Sequence, residues 1–206
     1  MSNLPKDIIW FTPHPNHYHH YLMEKSKENG LEIDTVYFNQ WLGKYPWKTI
    51  VDHQPKSLSK SFMGIDFKAV SKSYNNYKTI IIAGWGEPTM VLLLTCLALR
   101  SKSFYLYTDT PPNKKRSGLK QKARNIWLHW IWRNAAGILT TGQPGLDFFK
   151  NQGVVSEKLY NFPFVTNLDF FKPSENTKKN DVIFSSGRLD IAHKGYDVAL
   201  DALSMI

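Results

Sequence analysis

Short runs of β-branched and aromatic residues alternate along this chain with stretches of helix length, and that alternation restricts the fold more than any other feature. DIIWFTP is an apolar run closed by proline, and HYHHYLMEKSKENG follows with Tyr18, Tyr21, Leu22 and Lys25 at helical spacing before Gly30. LEIDTVYF sets Leu31, Ile33 and Val36 among polar neighbours as a second strand, and YKTIIIAGWG is an unbroken run of the kind buried on both faces of a sheet. EPTMVLLLTCLALRS reads as a helix with proline in its first turn, SFYLYTDTPP as a strand cut off by two prolines, and GLKQKARNIWLHWIWRNA as a long helix. AGILTTG, PGLDFFKNQG and KLYNFPF continue as strand, helix and short extended piece. Strands alternating with helices predict an α/β fold: a doubly wound, mostly parallel sheet covered on both faces.

The segment FFKPSENTKKNDVIFSSG passes from an aromatic-rich stretch through polar residues to a fresh strand. With 206 residues, the chain has room for one complete domain and part of another. The expected organisation is a domain over residues 1–173, a linker over 174–180, and the first strand, turn and helix of a second doubly wound domain, cut short, over 181–206.

A formal net charge of +9 favours anionic partners: nucleotide phosphates, nucleic acid or an anionic membrane surface. Cys96 is the single cysteine and lies within an apolar run, which excludes an internal disulfide and suits a buried thiol. The amino-terminal MSNLPKDIIWFTPHP lacks the pattern of a secretory signal, and the longest apolar run, Met90 to Leu99, is too short to span a bilayer. A cytoplasmic, soluble protein is the expectation, with peripheral attachment to the inner face of the membrane as the alternative.

SSGRLDIAHKG, residues 185–195, has the form of a strand running into a phosphate-binding turn. Gly187 permits close backbone approach, Arg188 and Lys194 flank the turn with two charges, and the following helix directs its N-terminal N–H groups at the same place. An ordinary strand-to-helix turn with solvated basic residues would read the same way locally. The longer stretch FSSGRLDIAHKGYDVALDAL resembles the opening of the C-terminal domain of retaining glycosyltransferases of family 4, which have the GT-B architecture of two facing Rossmann-like domains. DTPPNKKR, LTTGQPGLDFFKNQGV and FVTNLDFF are similar to the end of that family's N-terminal acceptor domain, while PWKTIVDHQPKSL and IIIAGWGEPTMVLLL look like its middle loop and strand-turn-helix.

The resemblance implies a hexosyltransferase that moves sugar from a nucleotide-diphosphate donor to a glycan or lipid-linked acceptor in cell-surface polysaccharide or glycolipid synthesis. It implies no metal or other cofactor, and it assigns the donor diphosphate to Gly187, Arg188 and Lys194. This chain, holding the acceptor domain and only the start of the donor domain, is expected to be inactive by itself. The sequence departs from the family in one place: TPHPNHYHH follows the first strand where many members carry a glycine-rich loop.

Further candidates lie where strands end, the edge at which open α/β sheets bind ligands. Asp109 closes the strand FYLYTDT and would position an acceptor hydroxyl or take its proton, with a structural turn role as the alternative. Because the resemblance implies that the departing diphosphate accepts the proton, positioning is the role expected of Asp109. Trp85 and Glu87, in GWGE, would contact the acceptor, Trp85 by stacking on a sugar face, with a packed turn aromatic as the alternative for Trp85. His14, at the mouth of the first strand, is a further acceptor contact. His14, His17, His19 and His20 crowd one segment without a second ligand set, so a surface loop entering a helix is preferred to a metal site.

NKKRSGLKQKARNIWLHWIWRN holds seven basic residues, three tryptophans and no acid. Leu119, Ala123, Ile126, Trp127 and Trp130 are expected to pack on the sheet, leaving Leu128 and Trp132 to meet a membrane beside Lys115 and Arg116, with a core helix that has a solvated basic start as the alternative. The competing reading is a non-enzymatic Rossmann-like module that holds an anionic surface through this helix. Nucleic acid is disfavoured for want of any recognised binding motif, and a nicotinamide-dependent oxidoreductase for want of G-x-G-x-x-G after the first strand. The oligomeric state is not specified by these features.

Overall fold

The computed structural model describes residues 6–38, 56–59, 62–110, 118–171 and 195–205. The chain divides into two compact units, Met1–Asn167 and Leu168–Ile206. In the first unit the alternation read from the sequence becomes β1 (Lys6–Thr12), α1 (His17–Glu28), β2 (Ile33–Tyr37), α2 (Phe67–Asn76), β3 (Tyr77–Ala83), α3 (Pro88–Leu99), β4 (Phe104–Thr108), α4 (Leu119–Asn134), β5 (Gly137–Thr140), α5 (Gly142–Asn151) and β6 (Leu159–Asn161). The second unit shows a 3₁₀ turn, Leu168–Phe171, and helix α6, Tyr196–Leu203, entered through Gly195 with φ +61°. A left-handed residue at that position favours glycine. The linker expected at 174–180 and the strand expected from 181 lie outside the described residues.

The six strands form one sheet in the order β2-β1-β3-β4-β5-β6, every neighbouring pair parallel. The fold is therefore α/β with a Rossmann-like, doubly wound arrangement. Beyond β2, the Tyr37 N–H donates to Lys56 O (2.8 Å) and the Leu58 N–H to Tyr37 O (2.9 Å), a parallel bridge that prolongs the sheet by a further short segment. The order reverses between β1 and β3, since the chain moves outward to β2 and then returns to build the other half of the sheet. Crevices that bind ligands in open α/β sheets form at such a reversal.

Strand alternation sorts the core into two faces. Ile9, Phe11, Ile80, Ile82, Phe104, Leu106 and Ile138 share one cluster with Val70 of α2, Met90, Leu93, Leu94 and Leu97 of α3, Leu128, Ile131 and Trp132 of α4, and Phe149 of α5. Their alternates Trp10, Ile81 and Ala83 are buried on the opposite face, where α1 lies, as the 5.1 Å ring contact between Trp10 and His19 shows.

Helix α2 has no counterpart among the helices expected from the sequence, and its start is tied down from outside. Asp66 accepts the Ala69 N–H at 2.8 Å as N-cap and the Ser59 N–H at 2.7 Å, while its own N–H donates to Thr89 Oγ1 at 3.0 Å. One side chain thus joins the helix start to the segment beyond β2, and its backbone joins it to α3.

Candidate functional site

Because all six strands run the same way, every strand-to-helix loop emerges on one edge. Phe11 pairs with Ile82 and Ala83 with Tyr107, so β1, β3 and β4 finish at nearly one level, and the Gly84 N–H donates to Tyr107 O at 3.0 Å. The tertiary structure brings His14, Trp85, Glu87 and Asp109 onto loops that leave these three adjacent strands.

His14 is half-buried two residues past the end of β1. Glu87 is the N-cap of α3, its carbonyl accepting the Met90 and Val91 N–H groups at 2.9 and 3.0 Å, with Pro88 next as the first helical residue. Trp85 is half-buried and meets Trp132 at 6.1 Å with the rings inclined at 65°, so part of its surface is committed to the core. Asp109 is exposed; its Oδ1 accepts the Thr110 N–H at 2.8 Å, and its carbonyl accepts the Thr108 hydroxyl at 2.9 Å. Its carboxylate therefore stands in a local turn beside Tyr107, whose phenol is pushed up by burial and further by the Asp109 charge.

Gly187, Arg188 and Lys194, to which the diphosphate was assigned, and Lys115 and Arg116, assigned to the membrane, lie outside the described residues.

Helix α4 corrects the expected orientation of its faces. Leu128 and Trp132, expected outside as membrane contacts, are 5% and 4% exposed and belong to the core; Leu119 and Ile126, expected inside, are 85% and 72% exposed. Two apolar stripes compete on this helix. The stripe of Leu128, Ile131, Trp132 and Ala135 has the i, i+3, i+4, i+7 spacing and sits in the half of the helix that packs on the sheet, whereas the first turns around Leu119 are exposed except for a partly covered Gln121. Trp127 and Trp130 are half-buried at the flanks, with Trp127 Nε1 donating to Thr95 Oγ1 at 3.1 Å. The outward surface carries Leu119, Lys120, Lys122, Ala123, Arg124, Ile126 and Arg133.

The histidine-rich segment is a loop that enters α1 through Asn16, as expected, but one of its histidines is not at the surface. His19 is 6% exposed, enclosed by Trp10 and Tyr37 with ring centroids at 5.1 and 6.2 Å. Burial, with a smaller contribution from His20, lowers its pKa to about 4, so at neutral pH the ring is uncharged. Among the described residues no group of three or more His, Cys, Asp or Glu could hold a metal ion. Sequence reasoning passed over His19, Trp10, Tyr107 and Phe162 as a group, since they come from β1, α1, β4 and the segment after β6. Among the described residues, too, no helix is long and apolar enough to cross a membrane. Comparison of the chain with models of known families and with curated protein sequences returns no match.

Proposed function

We propose that the first unit is the acceptor-binding domain of a retaining, family 4-like glycosyltransferase, which transfers a sugar from a nucleotide-diphosphate donor to a glycan or lipid-linked acceptor. One observation carries the reading: an all-parallel sheet that reverses order between β1 and β3 and gathers His14, Trp85, Glu87 and Asp109 on adjacent loops of one edge. In the reaction, the bond from the anomeric carbon to the diphosphate oxygen breaks and a bond to the acceptor oxygen forms on the same face. The departing diphosphate takes the acceptor proton, and Gly187, Arg188 and Lys194 steady its charge. Asp109 accepts a hydrogen bond from the acceptor hydroxyl and orients it, and the accessible part of Trp85 stacks on a sugar face.

The test is a titration of the ¹⁵N-labelled chain. Acceptor glycans should move the Trp85 indole and the Thr110 amide signals, and Asp109→Ala should weaken that response about tenfold. Nucleotide sugars should bind the chain alone with dissociation constants of about 1 mM or weaker by calorimetry. Affinity near 1 µM for a nucleotide sugar, or shifts induced only by dinucleotides, would overturn the assignment.

A second reading, a module held on the anionic inner face of a membrane, draws on the outward surface of α4. Leu119 and Ile126 are 85% and 72% exposed among Lys120, Lys122, Arg124 and Arg133, and no acid occurs in the helix. Such a surface seats apolar side chains at the headgroup boundary and cations on anionic lipid. Co-sedimentation with vesicles containing phosphatidylglycerol should fall several-fold, about fivefold, in a Leu119→Ser, Ile126→Ser double variant. Equal sedimentation of the unaltered chain with neutral and anionic vesicles would remove this reading.

A further inference from the structure

A recess of about 40 Å³ opens at the C-terminal end of β1 on the face covered by α1, with Trp10, Thr12, His19, Tyr107, Phe162 and Phe164 among its walls. Its floor is deep: Trp10, Thr12 and His19 are 2%, 3% and 6% exposed, whereas Phe164, at the rim, is 55% exposed. The rings that shape it are held by one another. Trp10 meets His19 at 5.1 Å and 90°, Tyr107 at 5.3 Å and 80°, and Phe162 at 6.0 Å. The backbone of His19 is anchored as well, its N–H donating to Asn16 Oδ1 at 2.8 Å.

Trp10 Nε1 and both ring nitrogens of His19 are buried without a hydrogen-bond partner. Native proteins rarely leave such groups unanswered, because each has lost its water. Indole is a donor only, and a neutral imidazole offers one donor and one acceptor. A group that answers the Trp10 N–H together with the unprotonated nitrogen of His19 must accept from the first and donate to the second. A hydroxyl does this with a single oxygen. A carboxylate offers no proton to the imidazole, neither it nor a phosphate would meet a cation among the residues that line the recess, and a hydrocarbon would leave the nitrogens as they are. The volume admits about three water-sized spheres, which suits a hydroxyl with its carbon, and the surrounding rings suit the C–H face of a polyol.

We propose that this recess is a binding site for the hydroxymethyl or hydroxyl end of an uncharged polyol or sugar. The ligand oxygen accepts the Trp10 Nε1–H and donates its proton to the unprotonated nitrogen of His19. Burial keeps His19 neutral at physiological pH and so preserves that acceptor. The proposal stands on the recess itself and holds whether or not the chain takes part in sugar transfer.

The experiment titrates the ¹⁵N-labelled full chain with methyl β-D-glucopyranoside, glycerol and inorganic phosphate, following the Trp10 indole N–H signal identified by its loss in Trp10→Phe. The sugar or glycerol should shift it saturably while phosphate leaves it in place. His19→Phe should weaken the effect about tenfold or more, and His19→Gln, which keeps a donor and an acceptor, should hold it within about threefold. Should His19→Phe fail to fold, the His19→Gln titration and the unaltered chain still decide the matter. A Trp10 signal unmoved by every probe, with a lasting cross-relaxation peak to water, would mean a held water and overturn the proposal. Movement with phosphate alone would overturn it equally.

Discussion

His19 shows how burial changes what a residue type can do. In the sequence it is one of several histidines in a row; in the fold it is uncharged between aromatic rings, with the usual value of 6.5 lowered to about 4. The unfolded chain takes up a proton on this residue near pH 6.5, and the folded chain only near pH 4. The corresponding stability is complete above the upper value, declines as pH falls between the two, and levels off below the lower one. The difference corresponds to roughly 3 kcal/mol. Thermal unfolding measured from pH 7.5 to pH 4.5 should show this loss in the unaltered chain and a flatter profile in His19→Phe. Identical slopes would place the titration elsewhere. The segment's composition gave no hint of the inversion, because the desolvation comes from Trp10 and Tyr37 on neighbouring strands.

At the level of the element, the two faces of α4 make opposite predictions. Leu128→Ala removes a buried side chain from the main core and should destabilise by about 3 kcal/mol, whereas Ile126→Ser should stay within about 0.5 kcal/mol in chemical denaturation. The reverse ranking would restore the face assignment expected from the sequence. Helix α5 offers a steric test. A Cβ on Gly145 would stand 2.1 Å from Thr140 Oγ1, and Thr140 is fully buried. Alanine there gains helix propensity but cannot be admitted without moving β5 or the helix, so Gly145→Ala should cost about 2 kcal/mol, read as a lowered Tm. Helices with a strong pattern or a clear stop, such as α3 and α5, were legible in the sequence. Helix α2 was not: it spans ten residues, buries only Val70 and Ser73, and owes its start to Asp66, whose second oxygen is satisfied by Ser59. The orientation of α4 was illegible for another reason. Two apolar stripes were available, and only the position of the sheet selects between them.

For the whole molecule, strand identity followed from β-branched runs and their proline or glycine ends, and parallel pairing followed from the alternation with helices, since a parallel neighbour needs a crossover long enough to hold one. The gathering of His14, Trp85, Glu87 and Asp109 on one edge was legible to the same extent, because each follows a strand. Side-chain commitment was not: the contact of Trp85 with Trp132 and the turn around Asp109 depend on neighbours far apart in the chain or on local geometry. The recess at Trp10 and His19 was wholly hidden, being assembled from β1, α1, β4 and the segment after β6. The sequence by itself determined, with the exception of α2, which described segments of the first unit are strands and helices, and that they form a doubly wound α/β sheet, because hydrophobic period and chain connectivity are local properties. Only the tertiary structure decided which stripe of α4 is core, which histidine loses its water, and which buried polar atoms are left without a partner, because desolvation is set by whatever the fold brings alongside.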